Sequence, residues 1–457
     1  MFQQVVLQKF IVYQSSTKNN VVIALITLLA SQWPLFAAAS SEDIFNRTDR
    51  LSPEKLVALV LQHNPDIQAA SSAAHAARER IVQVGAFDDP VIKYSVAPRT
   101  LSNPDIDARH SIALSQRLPW TGKRKLKQER ARYHANASEE NIQRSRLELT
   151  ELARLAFAQW YFVHAALGIN RHNQSLVDEF KEIADIKYSA GKVSKQDVLQ
   201  AEMQILLLQQ QAIRLHRERQ EILSSLNVLL NRAVDAFIPE PENIPAIDAT
   251  ANRKTLIIQA LAQHPELRAL QHRIAAENAS IQLADKASYP DFTVNALYNG
   301  VMDPEDKRFQ IGFAMNIPFG EKLQAQKRES HARLKQLQWQ QQSLINTIRS
   351  QLQQSFDRLQ ESQQLLQLYQ DSLLPLAQEN LATAKQDYET GRGDFLSLIT
   401  AEKNLSKIQL DQERILTHYY QRLAQLDRVL GRTHTTTNIS QLDEVNTVSF
   451  HAMGEQP

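Results

Sequence analysis

The residues of this chain that could do chemistry are not arranged as a catalytic or metal site. Its 13 histidines are scattered, with no pair of the HExxH kind and no carboxylate cluster of metal-ligand form. There is no cysteine, which removes disulfides, thiolate metal sites and a cysteine nucleophile. No phosphate loop, nucleophile elbow or dinucleotide fingerprint occurs. The expectation is no enzyme, no cofactor and no resident metal. What does recur at fixed spacing is a phrase, "YSAGKVSKQDVLQAE" at 188–202 and "YETGRGDFLSLITAE" at 388–402. The two are in step at Tyr188 and Tyr388, at Gly191 and Gly391, and at Ala201-Glu202 and Ala401-Glu402. Their chemistry is that of a turn. Gly191 and Gly391 are free to take the left-handed backbone that ends a helix. Ser194 and Asp197 have the spacing of a capping box, and Asp394 is placed to cap the next helix.

The phrase belongs to a repeat that spans nearly the whole chain. Leu61, Pro65, Asp66, Ile67 and Ala69 answer to Leu261, Pro265, Glu266, Leu267 and Ala269, and "LNVLLNR" ending at Arg232 answers to "LDRVLGR" ending at Arg432. "LPW" ending at Trp120 answers to "IPF" ending at Phe319, one residue out of step. A unit of about 180 residues is a duplicated half and not a solenoid repeat.

Composition narrows the class. The 457 residues carry 51 basic and 50 acidic side chains, a balance that gives no electrostatic argument for nucleic acid. Only 11 glycines occur, and the long intervals without one are rich in Gln, Leu, Ala, Glu, Lys and Arg, which favour helix. At the N-terminus, Lys9 and Lys18 precede the apolar run "VVIALITLLA", and "AAA" ends at Ala39, the pattern of an export signal over residues 1–39. Its removal leaves a formal net charge of −1.

Two periodicities alternate along the rest. Residues 53–86 read as a helix with Ser52 as cap and Pro53 at the first position. A strand hairpin follows at 91–118, with Ile92, Tyr94 and Val96 alternating with Lys93 and Ser95, and Ile112 and Leu114 with Ser111, Ala113 and Ser115. The second hairpin, 291–318, shows Phe292, Val294 and Tyr298 on one face, then Phe309, Ile311, Phe313, Met315 and Ile317. Polar loops, "APRTLSNPDIDAR" and "NGVMDPEDK", join each pair. Four such strands are too few to close a barrel, yet their apolar faces need a core or lipid, so several chains are expected to share one barrel. Long helical hairpins follow at 121–232 and 320–431, with Gly168 and Pro375 expected to kink or break them. The halves, 40–237 and 251–432, are joined by a Pro-rich linker at 238–250, and 433–457 form a polar tail.

Two helical hairpins, two strand hairpins, a duplication and an export signal resemble the TolC family of outer-membrane efflux channels. The specific marks are the two tip phrases, "HNPDIQAA" with "QHPELRAL", "FDDP" at 87–90 and "LPWTGKRKLKQERA" at 118–131. The string "PxxGKR" is most similar to the CzcC and CusC branch that serves heavy-metal exporters. The resemblance implies a mainly α protein with a small β part. Three chains with four strands each would form a twelve-stranded outer-membrane barrel above a periplasmic α-barrel. It implies a homotrimer working with a periplasmic adaptor and an inner-membrane RND pump. Lipid would face Ile92, Tyr94, Ile112, Leu114, Phe292, Val294, Phe309, Ile311, Phe313 and Met315. The adaptor would meet the tips at Gly191, Val193, Ser194, Gly391, Gly393, Asp394 and Leu396. The family's gate aspartate falls on Asp197 and the tyrosine it binds on Tyr388, but its arginine falls on Gly393, so that link is missing. Its two ring aspartates fall on Ser397 and Thr400, which puts a tight acidic ring in doubt.

Two other readings remain at this point. A drug or type I protein-secretion channel would share every feature except the cargo. A structural coiled-coil scaffold would use the rods alone and has no need of four strands with one apolar face.

Overall fold

The computed structural model describes residues 45, 49–97, 109–244, 253–300 and 308–433. The expected export signal, most of both polar loops, part of the linker and nearly all of the tail lie outside these residues. Helix α1 (Pro53–His63) begins as expected: Ser52 Oγ accepts from Lys55 N at 3.2 Å, and Pro53 occupies the first turn. The single helix expected over 53–86 is instead two, because Pro65 excludes Asn64 from the helical region and leaves it extended. Asn64 then caps α2 (Pro65–Gly85) through Asp66 N at 2.9 Å. The second half repeats the break between α5 (Arg253–Gln263) and α6 (Pro265–Lys286) at His264. The "HNP" and "QHP" strings are therefore helix-to-helix joints.

Strands β1 (Val91–Ala97), β2 (Arg109–Leu118), β3 (Phe292–Asn299) and β4 (Phe309–Met315) form one antiparallel sheet in the order β1-β2-β3-β4. Pairing of β2 with β3 fuses the two hairpins. The register sets Ile92 opposite Leu114, Tyr94 opposite Ile112, Ile112 opposite Tyr298, Val294 opposite Phe313 and Phe292 opposite Met315. Directly paired residues share a face, so all ten residues expected to meet lipid lie on one side. That side is exposed, with Phe313 78% accessible. The other side carries Lys93, Ser95, Ser111, Ser115, Thr293, Asn295 and Gln310, with Ser115 Oγ donating to Asn295 Oδ1 at 2.7 Å.

Below the sheet, α3 (Lys123–Ser189) runs for 67 residues, about 100 Å of helix. No break occurs at Gly168, which lies inside the continuous helix. Ala166, Leu167 and Asn170 are buried on the same stretch, and one glycine inside a packed helix costs only about 1 kcal/mol. Pro375 does leave a mark. Helix α7 (Glu321–Leu368) passes into a π-helical turn (Tyr369–Leu373) just before α8 (Leu374–Thr390), accommodating the missing proline N–H without ending the rod. Helices α4 (Lys195–Leu229) and α9 (Phe395–Leu430) return from the tips.

The joint between sheet and helices gathers on Asp291. Its carboxylate accepts from Lys123 Nζ at 2.7 Å, Arg117 at 2.8 Å and Trp120 N at 3.0 Å, while Trp120 stacks on Tyr289. The basic run of "LPWTGKRK" is thus a helix start with one lysine turned inward. A second buried ion pair, Arg154 to Asp427 at 2.8 Å, fastens α3 to α9. Removing one partner leaves a buried charge unmatched, so Asp427→Ala should destabilise the fold by about 3–5 kcal/mol. The double variant Arg154→Met/Asp427→Ala should recover most of that loss in thermal or denaturant unfolding.

Candidate functional site at the helical tips

Each tip is closed by the same backbone device. Gly191 and Gly391 adopt φ of 70° and 79°. Lys192 N bonds Lys187 O at 2.9 Å, and Arg392 N bonds Asp387 O at 2.8 Å, so chain reversal satisfies the last helical carbonyls. The starts of the return helices differ. Asp394 caps α9 through Ser397 N at 2.7 Å, and the bonds from Ser397 hold its carboxyl below the usual range. The capping box expected of Ser194 and Asp197 does not form. Ser194 makes no side-chain cap; its Oγ donates to Asp197 Oδ1 at 3.3 Å. The reason is that Asp197 is engaged elsewhere: its Oδ2 accepts from Tyr388 OH at 3.3 Å.

Asp197 and Tyr388 are therefore brought together, across 191 positions of sequence. Tyr388 is 2% exposed and its ring meets Phe395 edge-on at 5.2 Å. Burial, and then the adjacent Asp197 carboxylate, push the phenol pKa up, so Tyr388 stays a donor. Lys187 completes the contact. Its ammonium donates to the carbonyls of Tyr388 and Glu389 and sits 4.5 Å above the Tyr388 ring. Behind these groups Val177, Phe180, Val198, Leu381, Leu398 and Ile399 form one apolar cluster shared by both hairpins.

Ser397 and Thr400 are not drawn into this contact. Both are exposed on α9, and Thr400 Oγ1 donates to Leu396 O within its own helix at 2.7 Å. Gly393 packs against its own turn, its N bonding Asp387 O at 3.0 Å, and the neighbouring Arg392 folds back toward Asp387 at 3.6 Å. Of the residues expected to meet an adaptor, Gly191, Ser194, Gly391, Asp394 and Leu396 are exposed, while Val193 and Gly393 are half-buried.

Sequence reasoning missed Lys187, Phe395 and Glu402, all within this cluster. For two of them the signal was the departure of one half from the other: Lys187 stands where the second half has Asp387, and Phe395 where the first has Lys195, whereas Glu402 matches Glu202 and gave none. Tyr188, the repeat partner of Tyr388, is 45% exposed. Among the described residues no group of three His, Asp or Glu side chains could hold a metal ion, and no helix is long and apolar enough to cross a membrane.

The family model described as outer membrane efflux protein matches residues 56–232 and again 256–432. The cobalt-zinc-cadmium resistance protein CzcC of Cupriavidus metallidurans is 20% identical over 410 residues, 87% of this chain and 96% of its own. The pyoverdine export outer membrane protein OpmQ of Pseudomonas aeruginosa is 21% identical over 390 residues, 82% of each. The solved structure of CusC, which forms a transmembrane channel, superposes with a TM-score of 0.72 at 16% identity, covering 83% of this chain and 92% of that one.

Nothing lies within 4 Å of where a Cβ would stand at Gly191 or Gly391, so only backbone strain resists substitution there. Gly191→Val or Gly391→Val should cost about 1–2 kcal/mol locally. Hydrogen exchange should quicken at the tips and stay unchanged in the sheet.

Proposed function

This chain belongs to the outer membrane efflux protein family, and from that membership we propose that it is the passive exit duct of a tripartite efflux system, assembled as a homotrimer. The sheet carries this reading: one face is apolar and exposed, and β1 and β4 are left as its edges. A polar-lined, lipid-faced sheet with two open edges is what a barrel stave looks like, and three copies supply twelve strands. The helices support the same symmetry. Helix α4 exposes Leu199, Met203, Leu206 and Ile213 at helical spacing, and the α7–α8 rod exposes Leu368 and Leu376. Edges of opposite kind on one chain suit a head-to-tail ring. Residues 1–39 act as the export signal, and the Gly191 and Gly391 tips meet the adaptor that leads to an inner-membrane RND pump. The protein does no chemistry of its own.

In this reading the Asp197–Tyr388 contact closes the periplasmic end. Heavy-metal cations are the cargo best supported, by the likeness to CzcC and by the "PxxGKR" string. The similar likeness to OpmQ favours a second reading, an organic small molecule.

Charge placed on the lipid face should impair membrane assembly. Phe313→Lys should cost about 2–4 kcal/mol near the midplane, and Ala314→Lys much less. Equal tolerance of the two in an assembly assay would reject the facing. Asp197→Ala should raise conductance in planar bilayers; helix destabilisation with unchanged conductance would reject the gate. Loss of the protein should sensitise cells to cobalt, zinc or cadmium, whereas unchanged metal tolerance with raised sensitivity to organic toxicants would transfer the assignment to the second reading.

A further inference from the structure

Two side-chain hydrogen bonds tie α4 to the second hairpin near the tip. One is Asp197 to Tyr388; the other lies seven residues, about 10 Å, further along α4, where Gln204 Nε2 donates to Glu402 Oε2 at 3.3 Å. Gln204 is buried, and Glu402 is 1% exposed. The other two oxygens of this pair, Gln204 Oε1 and Glu402 Oε1, are both buried without a hydrogen-bond partner. Two buried acceptors with no donor is an arrangement an ionised carboxylate cannot satisfy. A carboxylic acid can, because its proton turns one oxygen into a donor. The repeat shows that this burial is particular to one half: Glu202, the counterpart of Glu402, is exposed and pairs with Lys181 at 3.0 Å.

We propose that Glu402 is a proton-operated latch between α4 and α9, holding the first hairpin against the second when protonated and favouring their separation when ionised. It rests on the reading of the tips as the closing end of a channel, although the latch itself is a property of helix packing. The charges around it leave the carboxyl unpaired. Helix α9 contributes Lys403; α3 and α4 contribute Lys181 and Glu202, which pair with each other; α8 contributes Lys385, which pairs with Glu179 of α3 at 2.7 Å. Otherwise α3 and α8 present apolar Val177, Phe180, Ala377 and Leu381 to this layer.

Burial pushes the Glu402 carboxyl up to about 7, against smaller downward effects of Lys403 and the Gln204 bond. A hydrated Glu402 in separated hairpins returns to the ordinary value of 4.5. The packed state therefore holds its proton more tightly, so acid favours packing, and packing weakens as pH rises through about 7. Between 4.5 and about 7 each copy shifts the balance toward separation by about tenfold per pH unit, and above about 7 the shift is complete.

The absence of cysteine allows spin labels at Lys192→Cys and Arg392→Cys without background. Distances would be measured on the full-length protein in detergent at about pH 5.5 and about pH 8.5, either side of the packed-state value. The expected result is a longer-distance population that grows severalfold at the higher pH, and a short-distance population at both pH values in Glu402→Gln. Glu402→Leu, which also cannot ionise, reads the same quantity should the amide variant fail to assemble. Distances independent of pH in the parent, or an undiminished pH shift in both Glu402 variants, would overturn the latch. A pH-dependent separation abolished in the variants, with bilayer conductance constant throughout, would establish the latch and reject the gate.

Discussion

Everything in this fold hangs on the contact between α3 of the first half and α9 of the second. Both helices bury mostly apolar side chains, and apolar packing alone is tolerant of sliding. Polar pairs at intervals remove that freedom. Arg154 meets Asp427 at 2.8 Å, Tyr161 meets Glu413 at 2.9 Å, and Asn173 meets Ser406 at 2.7 Å. A shift by one helical turn would leave several of these groups buried and unmatched, a cost comparable to the marginal stability of most folds. The register so fixed decides which tip residues meet: Asp197 reaches Tyr388, and Gln204 reaches Glu402, because the ladder upstream holds the two hairpins in step.

The duplication supplied two copies of one hairpin, and packing them together made the copies unequal. Tyr388 is enclosed by Phe395, Lys187 and Asp197, while Tyr188 looks outward. Glu402 is enclosed and Glu202 is solvated. Two like hairpins laid side by side have different neighbours on their two flanks, so a position equivalent in sequence is not equivalent in environment.

The joint above the rods follows a different logic. A sheet with one apolar face must be held at a fixed angle to helices whose surface is polar. Asp291 does this by accepting from both the strand end at Arg117 and the helix start at Lys123. Trp120 covers the contact by stacking on Tyr289 and Phe292. The one-residue shift of the repeat, by which "LPW" answers to "IPF", falls at this point.

Much of the molecule was legible in the sequence because its signals are local. The strand faces follow from strict alternation, which the pleat converts directly into sides, so all ten residues expected to meet lipid fall on one side. The tip turns follow from glycine, the only residue that takes φ near 70° without strain. The Pro-led start of α1 follows from the missing N–H, whereas Pro65, which starts α2, was read as the interior of one helix over 53–86. Where tertiary contacts compete, the sequence gives no guide. Gly168 stays helical because its neighbours are packed, and Asp197 abandons its own helix cap because Tyr388, remote in sequence, offers it a hydroxyl. The burial of Glu402 was invisible for the same reason. A glutamate two turns into its helix is enclosed only when the other hairpin arrives, and no spacing within either half records that arrival.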